Sequence, residues 1–103
     1  MSIKKQFLKS RPSCKVTFSI DKEDASGAHT VGLLGEFNNW NTAEPVSMKM
    51  LKNGTFRVTL ELPAEREYQF KYLLNNEVWI NDENADRYVE NGINTEENSV
   101  VFL

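Results

Sequence analysis

Residues 55–62 read Thr-Phe-Arg-Val-Thr-Leu-Glu-Leu, so Phe56, Val58, Leu60 and Leu62 are each separated by one polar residue. Successive side chains of an extended chain point to opposite faces, and this run therefore makes a strand with one apolar and one wet face. The same period recurs along the chain. Val16, Phe18 and Ile20 alternate through 15–20, and Tyr68, Phe70 and Tyr72 through 67–74, with Gln69, Lys71 and Leu73 on the opposite face. In 30–37, Val31, Leu33 and Phe37 share a face, and Gly35 is a gap that makes room for a neighbouring segment or side chain. Residues 46–51, with Met48 a core candidate, 78–80 and 98–102 read as shorter extended segments.

Turn chemistry punctuates these runs. Lys52-Asn53-Gly54 and Asn75-Asn76 are tight turns, because asparagine and glycine tolerate positive φ. About seven short strands, regular turns and no helical period predict an all-β, immunoglobulin-like antiparallel β-sandwich. The cysteine pair of antibody domains is absent, so that likeness is architectural. At 103 residues the chain is one domain, able to bury roughly 65% of its unfolded surface. Residues 14–103 form the predicted sandwich, and 1–13 form a basic arm with Lys4, Lys5, Lys9 and Arg11. Ile3, Phe7 and Leu8 give that arm either one amphipathic helical turn or a face to lay against the domain, and Pro12 closes it.

Composition excludes several function classes. The formal charge of -3, with acids and bases interspersed, lacks the basic face that nucleic-acid phosphates require. No apolar run approaches the ~20 residues of a membrane span. One cysteine, Cys14, permits no internal disulfide and reads as a buried, inert thiol. That thiol and the lack of a secretory leader point to the cytoplasm. His29 is the single histidine, which leaves no histidine-rich metal site and no convincing nucleophile–base pair. The acids Asp21, Glu23, Asp24, Asp82, Glu83, Asp86, Glu96 and Glu97 all read as loop residues, without the paired arrangement that glycoside hydrolysis needs. Asp82-Glu83-Asn84-Ala85-Asp86 imitates the opening of an EF-hand loop. However, Arg87 and Ile93 occupy the positions that require glycine and glutamate, so it reads as a turn whose Asx side chains bond their own backbone. No catalytic residue, metal or cofactor is expected.

Two tryptophans do not fit the core pattern. Trp40 ends an Asn-rich loop, and Trp79 adjoins Ile80, so one of that pair must face outward. Lys71 also points away from Phe70 and Tyr72. Flat indole faces stack on the apolar C–H faces of pyranose rings, while lysine and amide groups bond the hydroxyl rim. A structural plug at Trp40, and a sheet-edge cover at Trp79, are the plain alternatives.

Taken together, Val31-x-Leu33-x-Gly35-x-Phe37-Asn38-x-Trp40, Asn53-Gly54-x-Phe56, Leu62-Pro63, Tyr68-x-Phe70-Lys71-Tyr72, Trp79 and Asn98-x-Val100-Val101 resemble carbohydrate-binding module family 48. This is the isoamylase N-terminal or early set domain, which includes the glycogen-binding domain of the AMP-activated protein kinase β-subunit. The likeness covers 15–102. It implies an early-set sandwich that binds α-1,4-glucans without catalysis. Trp40 and Trp79 would be stacking platforms, Lys71 a donor to ring hydroxyls and Asn98 a source of amide hydrogen bonds. The leucine that projects into the glucan in the kinase-subunit type has its nearest counterparts in Ile93 and Asn94. Ser47 and Glu83 replace prolines common in relatives, and one extra residue lies between Lys71 and Trp79. The implied partner is glycogen, starch or maltodextrin, alone or beside an enzyme or regulator of glucan metabolism such as an α-amylase-type (glycoside hydrolase family 13) system.

Overall fold

The computed structural model describes residues 1–92 and 96–103. Ten strands form two antiparallel sheets, and no α-helix occurs among the described residues. The strands are β1 (Ser2–Phe7), β2 (Ser13–Ile20), β3 (Val31–Gly35), β4 (Val46–Ser47), β5 (Lys49–Met50), β6 (Phe56–Pro63), β7 (Glu67–Leu74), β8 (Val78–Ile80), β9 (Arg87–Glu90) and β10 (Glu97–Phe102). One sheet runs β1-β2-β6-β5. The other runs β4-β3-β7-β10-β9, with β8 also paired to β7.

The predicted alternation sets the core. Val16, Phe18 and Ile20 from β2, Phe56 and Leu62 from β6, Val31 and Leu33 from β3, and Phe70 and Tyr72 from β7 are buried between the sheets. The rings meet edge-on, with Phe18 to Phe70 centroids 5.1 Å apart and Phe70 to Tyr72 5.8 Å. Cys14 is fully buried, as expected of an inert thiol. The Asn53-Gly54 turn forms, with Gly54 at φ +87° and the Thr55 N–H donating to Asn53 Oδ1 at 3.0 Å. Asn75 and Asn76 both take positive φ at the β7–β8 turn, the left-handed pair that the tight hairpin type requires.

The sandwich has more strands than alternation alone reveals. Residues 46–51 are two strands: β4 pairs with β3 in one sheet and β5 pairs with β6 in the other. The chain crosses between sheets at Met48, which is buried. Residues 2–7 pair with β2 along their full length, from Ser2↔Ser19 to Phe7↔Cys14. No helix among the described residues is long and apolar enough to cross a membrane.

At the β6–β7 corner the Tyr68 hydroxyl donates to the Pro63 carbonyl at 2.9 Å, the same corner-fixing device that immunoglobulin-type sandwiches use.

Candidate functional site

The β3–β4 connection begins with a 3₁₀ turn at Glu36–Asn38. Asn38 Oδ1 accepts the Gly35 N–H at 3.0 Å, and Glu36 Oε1 accepts the Gln69 N–H at 2.7 Å, which ties the turn to β7. Asn39 and Trp40 then adopt left-handed backbone at φ +57° and +55°, and the Trp40 N–H donates to the Gly35 carbonyl at 2.9 Å. This conformation costs an L-residue roughly 1–2 kcal/mol. It turns the chain at the end of β3 and brings Trp40, which is half-buried, to the outer face of the second sheet.

Trp79 reaches the same place from β8. It lies opposite Leu73, while its neighbour Ile80 lies opposite Tyr72 and packs on the core. Of the pair, Trp79 is therefore the outward residue. It is 40% exposed, and its ring centroid stands 6.5 Å from that of Trp40, with the two planes at 56°. An open groove of about 430 Å³ runs beneath the rings, lined by Trp40, Gln69, Lys71, Trp79, Asn91, Glu96 and Asn98.

All four residues singled out in the sequence meet in this groove, though not as freely as the alternation suggests. Lys71 does point away from Phe70 and Tyr72, yet only 9% of it is exposed. Its ammonium donates to the Glu97 carbonyl at 3.1 Å and stands 3.8 Å from a Glu96 carboxylate oxygen. Asn98 donates through Nδ2 to Gln69 Oε1 at 3.1 Å. This amide pair leaves the Asn98 carbonyl oxygen as an acceptor and the Gln69 amide as a donor. Gln69 was legible as a groove residue, since it shares a face with Lys71 two positions away. Asn91 and Glu96 come from irregular sequence with no period to mark them. Ile93 and Asn94 lie outside the described residues.

Asp82 lies in a loop, as its sequence suggests, but the structure adds that it is fully buried. The Tyr72 hydroxyl donates to its Oδ2 at 2.6 Å and the Asn84 N–H to its Oδ1 at 2.7 Å. The second contact is the self-bonded Asx turn read from the sequence. The first is long-range, and no local pattern announces it. Burial, followed by the adjacent Asp82 carboxylate, pushes the Tyr72 phenol far above its ordinary range.

The fold as a whole is similar to that found in a ferric enterobactin esterase from Salmonella typhimurium, with TM-score 0.73 and 12% identity. An enterobactin esterase from Shigella flexneri gives TM-score 0.72 and 13% identity. The likeness covers 98% of this chain but only 34% and 32% of theirs, so the chain spans about a third of the esterases' length. At that identity the likeness is one of fold. No curated protein sequence matches the chain. Residues 20–101, which span β3 to β9, nearly all of β10 and the whole groove but not β1 and most of β2, match the family described as the glycogen recognition site of AMP-activated protein kinase. The chain belongs to that family of carbohydrate-binding modules.

Proposed function

We propose that this domain binds α-1,4-glucan chains, as glycogen, starch or maltodextrin, without acting on them. The observation that carries the reading is the pair of indoles, 6.5 Å apart and tilted by 56°, over a groove lined by Gln69, Lys71, Asn91, Glu96 and Asn98. Two flat apolar surfaces set at an angle suit a glucan that curves along its length. The amides and the lysine suit its hydroxyls. The left-handed backbone at Trp40 supports the same reading, because backbone strain of this kind concentrates at functional sites. Trp40 and Trp79 would stack on consecutive sugars, while Lys71 and Asn98 would bond hydroxyls.

Stacking adds ~0.5–1.5 kcal/mol per ring beyond area burial, and each neutral hydrogen bond a net ~0.5–1.5 kcal/mol. Less the ordering of a flexible glucan, roughly 4–7 kcal/mol remains, a Kd between about millimolar and about ten micromolar. Titration with maltoheptaose, followed by tryptophan fluorescence, tests this. Absence of any response up to about 10 mM overturns the reading. Trp79→Ala should weaken binding by about tenfold or more while leaving the fold intact. If Trp40→Ala lowers the Tm steeply yet leaves binding at native strength below that lowered Tm, Trp40 is a structural plug instead.

A second reading is supported by the fold's occupying about a third of the esterase chains. Here the domain serves as an accessory or interaction module beside an enzyme or regulator of glucan metabolism. Residues 14–103 would carry the sugar, and the arm at 1–13 would offer the protein contact. The lone buried Cys14 suits a reducing compartment such as the cytoplasm.

A further inference from the structure

Lys71 sits where β7 changes partners. On one edge β7 runs beside β3 from Phe70 to Leu74. On the other edge Glu67–Phe70 pairs with β10 and Tyr72–Leu74 with β8. The groove therefore lies over a fork, with Trp79 on one prong, Asn98 on the other and Lys71 at the crotch. No backbone ladder joins β8 to β10 among the described residues.

Side chains close the fork. Asn81 Nδ2 donates at 2.9 Å to the Glu97 carbonyl, the same oxygen that Lys71 Nζ bonds. Asn81 Oδ1 accepts the Ser99 hydroxyl at 2.8 Å, and that hydroxyl accepts the Asp82 N–H at 2.9 Å. Asp82 in turn takes the Tyr72 hydroxyl from β7, and the Asp82 carbonyl accepts the Tyr88 hydroxyl from β9. This chain of bonds links β7, the end of β8, β9 and the start of β10. Asp82 and Ser99 are fully buried, where a satisfied polar network specifies one arrangement because any other leaves costly unpaired groups.

We infer that Asn81 and Asp82 are positioning residues for the groove: they lock the two prongs together, so that Trp79, Lys71 and Asn98 face one ligand in fixed register. Asn81 is the direct link, two residues from Trp79 and bonded to the carbonyl that holds Lys71. Asp82 anchors it to the core side of β7. For its binding readout alone, this inference rests on the glucan reading.

The test uses Asn81→Ala, Asn81→Asp and Ser99→Ala. Asn81→Asp can still accept the Ser99 hydroxyl but cannot donate to the Glu97 carbonyl. Each variant is measured for Tm, for the circular-dichroism couplet of the adjacent indoles and for maltoheptaose affinity by fluorescence. The Asn81 variants are expected to stay folded, to lose much of the couplet and to bind about fivefold to tenfold more weakly. Variants that lower Tm but keep the native couplet and affinity overturn the inference, because the network is then only structural. If the native protein does not respond to maltoheptaose, the glucan reading fails separately. The couplet still decides, since a changed couplet upholds the inference and an unchanged one overturns it. If Asn81→Ala does not fold, Asn81→Asp and Ser99→Ala decide between the same two outcomes.

Discussion

Gly35 has no room for a side chain. A Cβ placed on it would stand 2.4 Å from the Gln69 carbonyl oxygen and 2.9 Å from Phe70 Cβ. Its backbone is extended, so the constraint is space and not conformation. Gly35→Ala should therefore push β3 off β7, destabilising the fold by about 2 kcal/mol or more and lowering Tm by roughly 10 °C, as thermal melts would show. That gap was legible in the alternation of 31–37. The state of Tyr72 was not. Its folded phenol is held far above the ordinary value of 10.0, so above about pH 10 the unfolded state releases a proton that the folded state retains. Stability then falls as pH rises. A spectrophotometric titration should show the Tyr72 phenol ionising only as the protein unfolds, and Tyr72→Phe should flatten the alkaline loss of stability. Alternation places Tyr72 in the core, but its partner Asp82 arrives from a turn ten residues on, and such pairings leave no trace in local sequence. Lys71 shows the same limit. Its facing was readable, whereas its bond to the Glu97 carbonyl depends on a strand fork that only the fold reveals.

Strand β1 shows how one charged side chain can hide an element. Its inward positions are Ile3, Lys5 and Phe7, opposite Phe18, Val16 and Cys14. A lysine in the middle slot breaks the apolar alternation, so residues 2–7 do not read as a strand. Lys5 instead reaches the other sheet, where its ammonium donates to Asp86 Oδ2 at 2.7 Å. The Phe102 N–H bonds the same oxygen at 2.7 Å. Partial burial raises the Asp86 pKa, but these two bonds and the Lys5 charge outweigh it, and the net value lies below the ordinary 3.8. The contribution is therefore fully present above about pH 4 and is lost as pH falls through the folded pKa. Acid unfolding should show a smaller loss between about pH 4 and pH 2 in Asp86→Asn than in the native chain. Both side chains are partly exposed, so a Lys5→Ala, Asp86→Ala cycle should return a coupling of about 0.5 kcal/mol. A native-like acid limb in Asp86→Asn would remove Asp86 from this role. The division of 46–51 was hidden for another reason. Two-residue strands are too short for a period, and the switch between sheets at Met48 is a property of the sandwich as a whole.

Across the whole molecule, the two sheets present different outer surfaces. That of β1-β2-β6-β5 carries Ser2, Lys4, Thr17, Ser19, Arg57 and Thr59, with Thr17 and Thr59 hydroxyls 2.8 Å apart. It has polar groups and charge but no ring to stack on a sugar. That of the second sheet carries both tryptophans and one ammonium, already held by Glu97 and Glu96. A neutral glucan docking there neutralises no free charge and releases few ions, which sets it apart from a polyanionic ligand. Maltoheptaose affinity should therefore change by less than about twofold between 50 mM and 500 mM NaCl, well outside the salt sensitivity of a charge-driven partner. Glycogen should be retained more strongly than the oligosaccharide at equal glucose content, because one polymer offers many equivalent chain ends and rebinding follows each release. A steep loss of affinity with salt would place the ligand on the Lys4 and Arg57 face of the first sheet. Thr17→Lys with Thr59→Lys would then alter binding, whereas a glucan held by Trp40 and Trp79 would leave that pair without effect.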